Sequence, residues 1–178
     1  YHYLHRKANC SWAFGLFQGE KIVGVVMFGS TVSSTLRKWI CGPENAGQVV
    51  ELVRLWVDDS LPQNTETWFL ARSLPLVPRR VIVSFADPSV GHLGIVYQAA
   101  NFLYLGLGPP RKRWHNPNLP NAHLHRSLGK YDASSLRRQG LVYIPAIRKH
   151  RYVYFNGTSR QNRYLRSKLH YTVYPAPK

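Results

Sequence analysis

Apolar residues fall in short dense runs separated by polar, Gly/Pro-punctuated stretches, and the runs define the elements. Phe14–Gln18 and Lys21–Gly29 flank a Gly19-Glu20 turn and read as a strand hairpin. Thr31–Gln48 is polar and reads as a loop, of a length that is usually functional or mobile in a compact domain. Val49–Val57 is a further strand, apolar on both faces except at Glu51 and Arg54. Asn64 then stands where a helix N-cap is wanted, and Glu66 suits the positive end of the helix dipole. That helix runs to Leu74, with Pro75 and Pro78 ending it. Val81–Ala86 is a near-continuous apolar run that stops at an acid, Asp87, and a second helix is read from His92 to Tyr104. Gly106–Pro120 is a Pro/Arg/Trp-rich connector, and residues 141–145 and 151–155 form two late strands around a turn at 145–150. No internal repeat is present.

The order predicts an α/β domain: a mixed, mostly antiparallel sheet with helices on its faces, in which strands 49–57 and 79–87 lie parallel and are joined by the helix between them. The 178 residues suit a single domain, a core at 1–110 followed by a basic aromatic region at 111–178 that completes the sheet. An apolar content of 44% is that of a folded chain, and no uncharged apolar run approaches the roughly 18 residues of a membrane span. Cys10 and Cys41 match no metal or redox spacing and read as buried thiols of a reducing cytoplasm. The chain opens on Tyr1 and not on methionine, which leaves a preceding segment open.

Charge changes the picture. Of the net +16, residues 1–110 hold nine Lys/Arg against seven Asp/Glu, and residues 111–178 hold fifteen against one. The basic residues of the second part alternate with aromatics, as in Lys149–Phe155 and Arg163–Tyr171. Cationic side chains neutralise phosphates and aromatic faces stack on unpaired bases, so the expected partner is nucleic acid. Arg111, Lys112, Arg113, Arg148, Lys149, Arg151, Arg160, Arg163, Arg166 and Lys168 are the expected contacts. A merely solvated basic face is the bland alternative.

Candidate chemistry centres on Asp87, because ligands of open α/β folds bind beyond the carboxyl ends of such strands. On a helix over 92–104, Tyr97, Asn101 and Tyr104 fall at i, i+4 and i+7, within about 60° of one another. One acid and a polar-aromatic stripe then converge in one pocket. Against this, Asp87 before Pro88 is a common turn starter, and Tyr97 and Tyr104 can serve as core tyrosines.

Three stretches carry a more specific likeness: Glu51–Val57, Ser84–Asp87 together with Gly91–Gly106, and Lys149–Phe155. The element order resembles the GNAT superfamily of CoA-dependent acyltransferases, and the motifs resemble the Mom proteins, DNA-modification enzymes of Mu-like phages. The resemblance spans most of the chain, from His2-Tyr3 to Lys178. It implies conversion of adenine in double-stranded DNA to N6-(carbamoylmethyl)adenine in the host cell cytoplasm, protecting phage DNA from restriction. It also implies catalytic roles for Asp87 and Tyr97, with His2 and Tyr3 as further catalytic positions, and iron as a suggested metal. His2/His5 and His123/His125 are the close histidine pairs, neither with the spacing of a known metal site, and His2 and His5 are the candidates.

One departure bears on the donor. The turn after the fourth-strand position, Asp58–Thr65, has no glycine, contains Pro62 and carries two acids, so it is ill-suited to a CoA pyrophosphate. Acetyl-CoA is therefore not the expected donor, although Asn64 and Thr67 at the helix start offer an anion a seat. The product's connectivity suits an activated glycine, such as glycyl-tRNA, with tRNA then a second polyanion. Ser84, Asn101 and Tyr104 complete the expected substrate contacts. The rival classes are a non-enzymatic basic nucleic-acid-binding protein, which Asp87→Ala would leave functional, and a CoA-dependent acetyltransferase, which tight acetyl-CoA binding would support.

Overall fold

A computed structural model describes residues 9–31, 33–119 and 131–178. Strands are β1 (Trp12–Gln18), β2 (Lys21–Gly29), β3 (Val49–Val57), β4 (Val81–Ala86), β5 (Leu103–Leu107), β6 (Arg111–His115), β7 (Val142–Ala146) and β8 (His150–Phe155). Helices are α1 (Ser34–Trp39), α2 (Thr65–Ser73), α3 (Ile95–Ala99), α4 (Ala133–Arg138) and α5 (Ser159–Ser167). Two compact units result: residues 1–107 with 149–178, and residues 108–148.

The first unit is a six-stranded sheet in the order β1-β2-β3-β4-β8-β5, antiparallel throughout except for β3 beside β4. The expected mixed sheet, with its parallel pair bridged by α2, is thus present. β3 and β4 stay in register only from Val49/Val81 to Glu51/Val83. Beyond that point the buried Ser84 hydroxyl reaches the Leu52 carbonyl at 3.4 Å in place of a ladder bond. The carboxyl ends of these two strands are therefore not zipped together.

Alternation along the strands builds two cores. One face carries Val26, Phe28, Val50, Leu52, Ile82, Ala86 and Tyr152 against Phe69 and Leu70 of α2. The other carries Val49, Val81, Val83, Val153 and Phe155 against Ile40, Cys41 and Leu165 of α5. β5 is an edge strand, and the C-terminal segment lies along it through a bridge from Tyr174 N–H to the Tyr104 carbonyl at 3.0 Å. Covering an edge in this way hides otherwise unpaired backbone groups.

Five expectations are corrected. The Thr31–Gln48 loop contains α1, capped by the Ser33 hydroxyl, and a 3₁₀ turn at Pro43–Gln48; Leu36, Ile40 and Cys41 bury themselves there. The helix read over His92–Tyr104 stops after five residues. Asn101 adopts a left-handed φ of 63°, Phe102 N–H bonds the Tyr97 carbonyl and Asn101 N–H bonds the Gln98 carbonyl, which is the Schellman stop. The Phe102 ring packs on Tyr97, with centroids 5.5 Å apart, as that stop favours. The 106–120 connector contains β6, and the two late strands separate: β7 pairs with β6, whereas β8 enters the large sheet between β4 and β5. Asn64 stands at the N-cap position of α2, but at φ 70° and without a side-chain cap. Of the two thiols expected to be buried, Cys41 is buried but Cys10 is exposed.

Candidate active site and nucleic-acid surface

β4 runs to Ala86 and leaves Asp87 extended, at φ −101° and ψ 106°, at the head of the Pro88–Val90 turn. Its Oδ1 accepts from the Ser89 amide at 3.1 Å and the Ser89 hydroxyl at 2.5 Å. Its Oδ2 pairs with Lys149 Nζ at 3.0 Å. Turn capping and an ionic role thus coexist at one residue. Burial pushes the carboxyl up, but the Ser89 hydroxyl, the Lys149 ammonium and the Ser89 amide outweigh it and hold Asp87 below the usual carboxylate range. It is therefore ionised at neutral pH, with both oxygens engaged.

The lowered pKa fixes the sign of a pH effect. The pair contributes stability above the ordinary aspartate pKa of about 3.9, and loses it as pH falls through the lower folded value. Asp87→Asn should lower the melting temperature at pH 7, and the gap to the parent should shrink below about pH 4. Thermal melts at the two pH values check this; a gap unchanged at pH 3 removes the ionic contribution.

The tyrosines assemble elsewhere on the same sheet end. Tyr97 of α3 lies 5.4 Å from the ring of Tyr152, and Tyr104 of β5 lies 5.1 Å from it on β8. Tyr104 Oη and His150 Nδ1 are 2.8 Å apart, with His150 buried. Tyr152 is fully buried; its hydroxyl donates to the Leu93 carbonyl and accepts from Gln98 Nε2 at 3.3 Å. Burial raises the Tyr152 pKa, the Gln98 bond opposes the rise and Tyr104 adds to it. Gln98 also reaches the Pro177 carbonyl at 3.1 Å, tying the C-terminal segment to this cluster.

The helical stripe is therefore corrected: Tyr97 and Tyr104 do meet, but through Tyr152 of β8 and not as neighbours on one helix. Asn101 is the exposed left-handed stop of α3. Ser84 is buried against Leu52 and faces no open space. Alternation sends Asp87 to the face of Val81, Val83 and Phe85, whereas Tyr97 and Tyr152 pack with Ile82 and Ala86 on the other. The acid and the phenol thus share one end of the sheet without sharing a face. Consecutive residues Lys149 and His150 join the two halves, one paired with Asp87 and the other with Tyr104.

Sequence reasoning missed His150, Tyr152 and Lys149 as site-builders. Period-two alternation in Lys149–Phe155 was the available signal, because it puts His150, Tyr152 and Tyr154 on one face and Arg151, Val153 and Phe155 on the other. The acidic turn already read at the α2 start is a second charged group. Burial and the Asp59 charge raise the Glu66 pKa, and His92 opposes the rise. Thr67 is half-buried in the same turn, and Asn64 is exposed. Asp58, held below the usual range by its Ser60 hydrogen bonds and by Lys21, keeps a negative charge beside this turn. A CoA pyrophosphate is not matched by that surrounding.

Arg160, Arg163, Arg166 and Lys168 are exposed on or just after α5, and Arg148 is exposed in the second unit, where Arg111, Lys112 and Arg113 form the outer part of β6. Trp114 and Tyr143 stack across β6 and β7 with centroids 5.0 Å apart. Arg151 is corrected: it is buried, and its guanidinium lies 4.5 Å over the Tyr171 ring, away from any solvent-facing phosphate surface. His2, Tyr3, His5, His123 and His125 lie outside the described residues. Among the described residues no group of three or more His, Cys, Asp or Glu converges as a metal site, and no helix is long and apolar enough to cross a membrane.

Comparison with known proteins places these features in context. The family model described as the Mom protein family matches residues 1–177. The chain is similar to methylcarbamoylase mom of Escherichia phage Mu, with 33% identity over 112 residues that cover 59% of this chain and 46% of that protein. It therefore spans about half the length of that curated relative. Among solved structures, a Bacillus subtilis acetyltransferase in complex with CoA is similar at TM-score 0.44 and 14% identity, covering 80% of this chain and 75% of that one. The GphF GNAT-like decarboxylase in complex with isobutyryl-CoA is similar at TM-score 0.43 and 12% identity, covering 83% and 79%.

Proposed function

The chain belongs to the Mom protein family, and on that premise we propose that it modifies adenine in double-stranded DNA to N6-(carbamoylmethyl)adenine, acting inside a host cell on phage DNA. The observation that carries the proposal is the family match over residues 1–177 together with an ionised, partly buried Asp87–Lys149 pair at a strand end.

The product constrains the chemistry. Attack of adenine N6 on the carbonyl of an activated glycine forms an amide and releases the carrier, for which an aminoacyl-tRNA is the proposed source. The new glycyl amine then attacks C6 through a five-membered ring. The bond from C6 to the original N6 breaks, that nitrogen leaves as the carboxamide, and the sum is an isomerisation. A target base must leave its stack to meet these groups, at a cost of a few kcal/mol.

Asp87 is proposed to hold and orient the Lys149 ammonium, because both of its oxygens are engaged and its lowered pKa makes it a weak base. Lys149 then stabilises the oxygen charge that develops as the amide forms. Tyr97 and the hydrogen-bonded Tyr104–His150 pair face the other side of this sheet end, so no proton transfer at the reacting amine is assigned to them. The candidate iron ligands His2 and His5 lie outside the described residues, and no step is assigned to a metal.

Mass spectrometry of nucleosides from DNA exposed to the protein should detect carbamoylmethyl-adenine. With heavy nitrogen at adenine N6, the label should end in the carboxamide. Label still attached to C6 would exclude the rearrangement, and unmodified adenine throughout would exclude the activity.

A further inference from the structure

We infer that the protein carries a second nucleic-acid site, a cleft that seats one unpaired nucleotide at the end of the sheet opposite Asp87. The cleft has a volume of about 490 Å³ and lies between the 3₁₀ turn at Pro43–Gln48, the Pro78–Arg80 turn and α5. Arg79, Arg80, Gln48, Asn45 and Tyr164 are among the side chains that line it, and none of its lining residues is acidic. That volume is in the roughly 300–1,000 Å³ range of small-ligand sites, which suits one nucleotide and not the width of a duplex.

The chemistry is that of a phosphate beside a base. Arg79 and Arg80 supply two guanidinium groups, the residue type best matched to phosphate oxygens. Tyr164 is 48% exposed, which leaves a ring face able to stack on a base. Gln48 brings an amide group of the kind that reads base edges, while the Asn45 amide donates to the Cys41 carbonyl at 2.7 Å and fixes the wall of the cleft. Glu44, the acid nearest in sequence, lies against Gly42, and its Oε1 accepts from Asn45 Nδ2 at 3.4 Å.

The site is also built in advance. Asn156 Nδ2 donates to the carbonyls of Leu74, Val77 and Arg79 at 2.8, 3.0 and 3.2 Å. Asn156 N–H bonds the Arg80 carbonyl, and Arg80 Nη1 donates back to the Asn156 carbonyl at 3.1 Å. Arg79 is held with its guanidinium 5.2 Å over the Trp12 ring. On the α5 side, Arg160 and Arg163 are exposed, and Lys168 Nζ lies 5.9 Å over the Tyr164 ring. Preorganised donors lose little freedom when an anion arrives.

Its placement separates it from the reaction. Gln48 and Arg80 immediately precede β3 and β4, whereas Asp87 follows β4. Six residues of strand at about 3.3 Å each put the two sites roughly 20 Å apart.

Fluorescence anisotropy with labelled single strands of about twelve nucleotides, one DNA and one RNA, and with the paired DNA duplex, tests the site. Tyr164→Ala and Arg79→Gln should each weaken single-strand binding about tenfold, leave duplex affinity within about twofold and keep the melting temperature. Arg79→Gln should also reduce the salt slope by about 0.7. Weakening confined to the DNA strand or to the RNA strand identifies which nucleic acid uses the site. Unchanged single-strand affinity in the folded variants, or equal losses for single strand and duplex, overturns it. The measurement needs no adenine modification, so the site and the proposed reaction fail separately.

Discussion

Asp87→Asn is expected to cut the yield of modified adenine by two orders of magnitude or more, and Lys149→Met to do the same. Each removes half of an ion pair whose carboxylate is largely buried, and leaves the other charge without its partner. A preorganised donor aimed at a developing oxyanion is worth about 10² to 10³ in rate. Because the lysine acts through its position and the aspartate fixes that position, the double variant should fall no more than about threefold below the poorer single one. A general base at Asp87 makes a different forecast. Losing Lys149 would then remove a pKa-lowering partner and make the carboxylate more basic. Nucleoside mass spectrometry gives the yields, and duplex binding is followed alongside. Asp87→Asn within about threefold of the parent sinks the pair's catalytic role, and parallel loss of duplex binding moves it to the nucleic-acid surface.

Physical reasons separate what was legible in the chain from what was not. Strands with dense apolar runs were readable with their pairing: β3 and β4 keep their expected positions, and the parallel contact follows from the helix between them. The place of Asp87 at the strand end was legible because an acid ending such a run is unusual. The geometry around it was not, since helix termination at Asn101 is decided by a left-handed turn and a Phe102–Tyr97 contact. Periodicity could not register that stop, so Tyr104 was set on a helix when it belongs to β5. Lys149 and His150 are sixty-two and sixty-three residues beyond Asp87, and only insertion of β8 between β4 and β5 brings them there. Arg151 was misassigned for a related reason: a charged residue in a strand with apolar neighbours can face inward, and this one stacks on Tyr171.

Gly94→Ala should be among the most damaging single substitutions, although it adds one methyl group. Gly94 has φ 77°, and an added Cβ would fall 2.5 Å from the Tyr152 ring, which is fully buried and cannot retreat. The left-handed conformation costs about 1–2 kcal/mol for a residue with a Cβ, and overpacking adds about 1–3 kcal/mol. A total of about 2–5 kcal/mol corresponds to a melting-temperature loss of roughly 10 °C in a chain of this size. Tyr152 joins Tyr97 to Tyr104 and donates to Leu93, one residue before Gly94. Displacing its ring therefore disturbs the site as well as the core. Gly91 is the internal control: its φ is 75°, but nothing lies within 4 Å of the added Cβ. Gly91→Ala should therefore show the conformational cost alone, at about 1–2 kcal/mol. Thermal melts of the two variants isolate the Tyr152 contact, and equal losses at both positions would assign the whole effect to backbone conformation.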